Sequence, residues 1–550
     1  MSANKFDTII QGATIYDGEG RNSFCADVGI LGDKIIEIGD LNTECSNVIK
    51  AQGLALMPGI IDVHTHYDAQ ITWDSTLSPS PSMGVTTAVM GNCGFGIAPC
   101  PPEHQEIMLK NLSVVEGMNL KTLLEGTEWK FDSFPEYLKF IDKQRPHANV
   151  AVLIGHSAIR TAVMGEESST RIKPTQKELE AMRDIVDEAL ACGAIGFASS
   201  FSPNHSGFGG RPMPSTIAED AELYALLEPI KQRKGVFVTA GGGRATPEYL
   251  ENISKTFECP TFLVSVLAMY NDSAPTASSD YYERCGAALD RGHEVYIHAN
   301  PHPLSFDFTL RNPYIFYAHG AFDAIKVAAP DQLRSIYQSQ SFRDEFAENL
   351  TNNQIGVIFN GAWDKIELDE VPITEIAKAA NQSPLDWLFD QDLDTPFVGK
   401  MYQNNDVGVA KLLTHQNAII ALSDAGAHVE FLCDAGFGLF FLRHWAIDTG
   451  TFALTHAIQK LTSDPAAKYR IKKRGTIKEG YFADLVLFDP KTVGISKLFR
   501  LNDLPGDGSR LMRSPRGIHG VWVNGTQVID PEKKHSIPEG PGHILTEFDF

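Results

Sequence analysis

A chain of 550 residues carrying a formal net charge of −22 would be repelled by nucleic-acid phosphates, which argues against a nucleic-acid partner. Its 43% apolar and 21% charged residues suit a globular protein with a large core and about two structural units. No apolar run reaches the ~20 residues of a membrane span. The N-terminus lacks the basic and apolar regions of a signal peptide, and the eight cysteines include no CxxC pair. The expectation is a cytoplasmic protein with reduced thiols and no membrane partner.

Residues 5–57 read as short strands (6–10, 13–16, 26–30, 34–38) punctuated by the turns Asp17-Gly18 and Gly32-Asp33. From residue 58 the rhythm changes. Eight apolar strand-like runs recur at 60–66, 86–90, 149–156, 194–200, 236–240, 262–267, 294–298 and 418–424. Helical spacing fills several of the connections, as at 175–192 and 221–233. This is the pattern of an α/β fold, a (β/α)8 TIM barrel over 58–469. The long connection 300–415 is an insertion holding further helices, at 335–349 and 373–388, and part of the active-site wall. After about residue 470 strands return, with a hairpin on Asn524-Gly525. Residues 1–57 and 470–550 are therefore expected to pair into a small β-sandwich domain. The last dozen or so residues read as a surface tail.

Functional side chains of such a barrel lie at the C-terminal ends of its strands. The first strand ends Asp62-Val63-His64-Thr65-His66, and alternation along a strand turns both histidines the same way. Cys93 follows strand two inside Gly91-Asn92-Cys93-Gly94, where glycines let the backbone come close to a ligand. Asp424 closes strand eight ahead of Ala425-Gly426-Ala427-His428. His64, His66, Cys93 and Asp424 together make a mixed nitrogen, sulfur and oxygen donor set suited to Zn2+. Cys93 alone would more often be a buried free cysteine, and Asp424 alone a helix N-cap. With a metal to acidify a water and polarise a carbonyl, Asp424 is the catalytic residue that takes the water's proton and returns it to the leaving group.

His156 ends strand three and His298 ends strand seven, so both are candidate substrate-binding residues, each with a structural hydrogen bond as its alternative. His205 and Arg211, on the glycine-rich loop after strand four, are further candidates. Arg160, Arg211, Arg244 and Arg311 all lie near strand ends, where one could grip a carboxylate bidentately, although ion pairing within the protein is the commoner fate of each.

The segments Pro58-Gly59-Ile60-Ile61-Asp62-Val63-His64-Thr65-His66, Gly84-Val85-Thr86-Thr87, Gly91-Asn92-Cys93-Gly94, Gly155-His156-Ser157, Leu422-Ser423-Asp424 and the run from Gly475 to Asp484 resemble the amidohydrolase superfamily, in its D-aminoacylase branch. The resemblance implies a zinc hydrolase with His64, His66 and Asp424 at the metal, Cys93 as thiolate ligand, and a split β-sandwich beside the barrel. The branch usually adds histidines at strands five and six. Here those strands run Val238-Thr239-Ala240 and Val264-Ser265-Val266-Leu267. One firmly bound ion per chain is therefore expected. The implied reaction is hydrolysis of a non-peptide C–N bond in a small molecule, an N-acyl amino acid of D configuration. A cyclic amide, imide or lactone hydrolase is the alternative enzyme, and a ligand-binding pseudoenzyme the alternative of another class. A homo-oligomer is compatible with such an enzyme, and no stretch of sequence specifies one.

Overall fold

The computed structural model describes residues 6–41, 45, 47–265, 268–351, 358–427, 435–532 and 537–549. Packing divides the chain into two compact units, one of Met1–Ala268, Tyr281–Pro301 and Leu413–Phe550, the other of Met269–Asp280 and His302–Leu412.

The first unit is built on eight strands that pair in chain order, all parallel: β1 Ile60–Asp62, β2 Val85–Met90, β3 Asn149–Gly155, β4 Gly196–Ser200, β5 Val236–Ala240, β6 Thr261–Val264, β7 Val295–Ala299 and β8 Ala418–Ile420. Strands covered on both faces read as continuous apolar runs, and every residue of β2 and β3 is buried. Each strand sends a side chain into one core cluster, from Ile61 of β1 to Ile419 of β8. A parallel bridge between Thr65 and Ala425 joins the ends of β1 and β8. The result is a TIM-like barrel.

Four helices matter for the site: α1 Gln105–Val115, α2 His156–Met164, α3 Gln176–Ala191 and α4 Asp220–Arg233. The start of α3 follows from its capping box, in which Thr175 and Glu178 satisfy each other's backbone N–H groups.

The N- and C-terminal segments meet in a second, mixed eight-stranded sheet. Leu485–Phe488 pairs on one side with Ala55–Pro58 and on the other with Ile518–Val523, which turns at Asn524-Gly525 into Thr526–Ile529. Both turn residues have positive φ (46° and 77°), the geometry an Asn-Gly hairpin favours. The two strands expected at 6–10 and 13–16 are one strand, Thr8–Ile15, irregular between Ile10 and Ala13 around Gly12 at φ +74°.

The expected surface tail is a correction. Leu545 N–H donates to Val150 O (2.7 Å), Val150 N–H donates to His543 O (2.9 Å), and Leu545 and Phe548 pack against the barrel core. Apolar residues spaced between Pro and Gly are too few to read as a strand, yet they find an unpaired backbone at the start of β3.

The second unit holds an antiparallel sheet, Leu304–Phe308, Phe397–Tyr402, Ile366–Leu368 and Val371–Pro372, and an aromatic core in which Phe316, Phe322, Phe346 and Phe389 are fully buried. Its two expected long helices are each two. One is Leu333–Tyr337 followed by Gln340–Thr351. The other is Ile373–Ala379 followed by Pro384–Asp390, where Asn381 turns left-handed (φ +57°) and Ser383 caps a new helix starting at Pro384. Among the described residues, no helix is long and apolar enough to cross a membrane.

Candidate metal centre

The regular part of β1 stops at Asp62, so strand alternation does not place the two histidines. Backbone bonds beyond the strand do. Thr65 N–H donates to Val89 O (3.0 Å) and His66 N–H to Ala425 O (2.8 Å), while the Ser423 hydroxyl donates to His64 O (3.2 Å). Asn92, fully buried, spends its amide on the carbonyls of Val63, Thr65 and Val89. Three non-glycine residues here hold positive φ: Cys93 (54°), Leu422 (81°) and Asp424 (50°). Such conformations cost about 1–3 kcal/mol each and persist where surrounding structure imposes them. The glycines beside Cys93 serve close packing of strand ends, not a ligand. A Cβ on Gly91 would lie 2.2 Å from Leu153 O, and one on Gly94 2.9 Å from Ala198 O.

These constraints bring His64, His66 and Cys93 together, all buried, with ligating atoms within 4.8 Å of one another. His64 Nε2 lies 3.3 Å from His66 Nε2 and 3.8 Å from Cys93 Sγ. Asp424 Oδ1 stands 3.2 Å from His64 Nε2 and 3.6 Å from His66 Nε2. His428 lies outside the described residues.

The electrostatics favour a cation. Burial alone would depress both imidazoles. For His64 the hydrogen bonds to Asp424 and Cys93 outweigh burial and raise it to about 9. For His66 the Glu116 charge, with Asp424 and Cys93, raises it well above 6.5. Burial pushes the Cys93 thiol up, but the two histidines bring it below 9.0. Two protonated rings with nitrogens 3.3 Å apart repel each other. One divalent ion between the same donors meets the demand for positive charge without that repulsion, so this donor set fits a metal.

Sequence reasoning missed Glu116. It follows α1, is 2% exposed at its side chain, and sets Oε1 3.3 Å from His66 Nδ1. A lone acid after a helix on the long β2–β3 connection carries no spacing signal. Asp68 is similar. It is buried and accepts from Gly91 N–H (3.0 Å), and burial raises its carboxyl to about 6.

The other expected site residues have partners of their own. His156, at the start of α2, is 1% exposed, with Nδ1 2.9 Å from Ser199 Oγ and Nε2 2.8 Å from Glu222 Oε1. Arg160 on the same helix also donates to Glu222 of α4. Both ring nitrogens of His156 thus have hydrogen-bond partners inside the protein. His298 is likewise enclosed, with Nδ1 3.2 Å from His64 Nδ1 and Nε2 2.8 Å from Tyr469 Oη. Burial holds its ring well below 6.5.

His205 sits on the loop after β4. Its ring packs edge-on against Phe95 (5.0 Å), close in sequence to Cys93, and its Nδ1 lies 2.7 Å from Ser200 Oγ. Arg211 closes the same loop, where Gly207 N–H donates to Arg211 O (2.6 Å) and the side chain is exposed. Of the other arginines, Arg311 forms a two-point pair with Asp394, while Arg244 donates to Ala218 O, lies over the Phe201 ring and 3.6 Å from Asp220 Oδ1, and keeps Nε and Nη2 buried without a hydrogen-bond partner. Buried Thr239 stands one residue before the end of β5 and buried Ser265 directly follows β6, so neither described strand end supplies an imidazole. Val266 and Leu267 lie outside the described residues.

Residues 47–382 and 386–529 match the family model described as "Amidohydrolase family". The chain is 28% identical over 533 residues to the D-aminoacylase of Alcaligenes xylosoxydans xylosoxydans, spanning 95% of this chain and 94% of that protein. It is 28% identical over 557 residues to the N-acyl-D-aspartate deacylase of the same organism, spanning 99% and 95%. Among solved structures, a D-aminoacylase with a binuclear metal centre, studied for one-metal activation and second-metal attenuation, superposes with a TM-score of 0.66 at 26% identity, covering 98% of this chain and all of that one. With the family model matched over most of its length and buried His64, His66 and Cys93 gathered beside Asp424 at the barrel end, the chain belongs to the amidohydrolase family, in its D-aminoacylase-like branch, and is a metal-dependent hydrolase of carbon–nitrogen bonds other than peptide bonds.

Proposed function

We propose that the chain hydrolyses N-acyl amino acids of D configuration with one zinc ion held by His64, His66, Cys93 and Asp424. The observation that carries this reading is the meeting of Asp424 Oδ1 with both Nε2 atoms, 3.2 and 3.6 Å away, beside a buried thiol. The substrate class rests on the relatives, which are a D-aminoacylase and an N-acyl-D-aspartate deacylase. The single ion rests on Thr239 and Ser265 standing beside the ends of strands five and six.

When bound, zinc supplies Lewis acidity, acidifying a water and polarising the scissile carbonyl. The rest falls to the chain. His64 and His66 present Nε2, and Glu116 accepts the Nδ1–H of His66, which fixes that ring's tautomer. Asp424 takes the attacking water's proton on a carboxylate oxygen and passes it to the departing nitrogen, which leaves as an amine. Arg211 is the arginine of the four that has no ion-pair partner among the described residues, and it reads the substrate carboxylate. His205, held by Ser200, orients the acyl group from the same loop. On this reading residues 1–57 and 470–550 form a small β-sandwich domain beside a hydrolase barrel of 58–469 with its insertion at 300–415, and the enzyme is cytoplasmic.

The test is a screen of zinc-loaded protein against paired N-acetyl-D- and N-acetyl-L-amino acids, with released amine quantified for wild type and Asp424→Asn. Turnover of D substrates that Asp424→Asn loses supports the reading. Turnover of cyclic amides alone, or none on either series, overturns the substrate assignment.

A further inference from the structure

A string of three hydrogen-bonding side chains runs from the metal centre into the barrel core, and the mechanism above does not use it. His64 Nδ1 faces His298 Nδ1 at 3.2 Å, and His298 Nε2 faces Tyr469 Oη at 2.8 Å. All three residues are 3% exposed or less. Tyr469 follows the helix Ser463–Lys468, and its ring stacks on Phe262 of β6 with centroids 4.2 Å apart, so the hydroxyl has little freedom to leave. The string ends there among the described residues, which makes it unsuited to moving protons to solvent.

Donor and acceptor accounting then allows one arrangement. If His64 gives Nε2 to a metal, its remaining proton must sit on Nδ1. That N–H needs an acceptor, and the atom facing it is His298 Nδ1. For Nδ1 to accept, His298 must carry its own proton on Nε2, where the Tyr469 oxygen receives it. The opposite tautomer of His298 would set two N–H groups against each other at 3.2 Å. With His64 on a metal, His298 thus accepts at Nδ1 and donates from Nε2, and the Tyr469 hydroxyl supplies the acceptor that this tautomer needs.

We propose that His298 and Tyr469 are positioning residues that lock His64 in its metal-binding tautomer. The two imidazole ligands are then oriented differently: His66 by an anion, Glu116, and His64 by a neutral ring held by a phenol. The inference rests on His64 being a metal ligand, as in the reading above.

The experiment measures zinc affinity of the full-length protein by competition with a chromophoric chelator, for wild type, His298→Ala, His298→Gln and Tyr469→Phe. Cobalt(II) spectra are recorded on each. His298→Ala is expected to bind zinc about 10–100-fold more weakly, the usual cost of losing such a partner. His298→Gln, whose amide oxygen can accept from His64 Nδ1–H, should recover much of the loss. Tyr469→Phe, which keeps the ring and removes only the hydroxyl, should weaken zinc binding in the same direction, with the cobalt ligand field retained throughout. Unchanged affinity in both His298→Ala and Tyr469→Phe overturns the proposal, as does a glutamine variant no better than alanine. A cobalt spectrum of His298→Ala showing a lost nitrogen ligand also overturns it, since His298 would then bind the metal itself. Failure of the wild type to take up zinc overturns the metal reading and this inference together, whereas normal wild-type uptake with indifferent variants overturns this inference alone.

Discussion

Glu116 Oε1 stands 3.3 Å from Nδ1 of His66, and neither side chain is more than 5% exposed. A buried carboxylate on the far nitrogen of a ligand histidine fixes ring orientation and raises its basicity. Glu116→Gln should therefore weaken zinc binding by about tenfold or more. Chelator competition measures this directly. Equal affinity for wild type and variant would show that His66 is held by its backbone alone.

Asp424 has its carboxylate against both imidazoles and a positive φ that its neighbours impose. Asp424→Asn keeps the size and removes the base. Turnover should fall by about 10²–10⁴-fold, with the far-UV spectrum unchanged. Rates within threefold of wild type would assign proton transfer to another group.

The His156–Glu222–Arg160 group predicts a pH effect on stability. Burial lowers His156, and Glu222 offsets that only in part, so the ring sits below its ordinary 6.5. Burial raises Glu222, but the bond from His156 and the charge of Arg160 outweigh it and bring the carboxyl below 4.5. Both groups bind fewer protons folded than unfolded, so their stabilisation is present above these ordinary values and is lost as pH falls through the lowered ones. The Tm difference between wild type and His156→Gln should shrink from pH 7 to pH 5. A difference constant across that range contradicts the assignment. Glu222→Ala, which leaves Arg160 buried without its anion, should cost about 3–5 kcal/mol in unfolding experiments.

Much of the fold could be read directly from the chain. Apolar runs of five to eight residues with polar or glycine ends located all eight barrel strands, and helical spacing over 175–192 located α3. The residues that gather at the barrel end, His64, His66, Cys93 and Asp424, were legible because they follow closely on strand-like runs. What escaped was whatever depended on distant partners. Glu116 and Tyr469 reach the site from loops and helix ends with no periodicity. His156 and His298 were read as facing substrate because they end strands, but the groups that enclose them, Glu222 and Tyr469, come from elements far along the chain. The tail 543–549 lacked alternation, so its pairing with β3 was invisible.

That pairing has a measurable consequence. Leu545 and Phe548 cover apolar residues of the barrel, and the backbone bonds to Val150 would be lost with them. Ending the chain at residue 542 should lower stability by about 2 kcal/mol or more, from the apolar burial of the two side chains. A truncated protein with unchanged Tm would mean that the segment only rests on the surface.

The most direct measurement is the zinc content of purified wild type and Cys93→Ala by elemental mass spectrometry, after zinc loading and removal of free metal. About one ion per chain in the wild type, and clearly less in the variant, is expected of a site with one thiolate, two imidazoles and a carboxylate. No retained metal in either protein would contradict a metal-dependent mechanism at His64, His66, Cys93 and Asp424, and two ions per chain would contradict the single-ion centre.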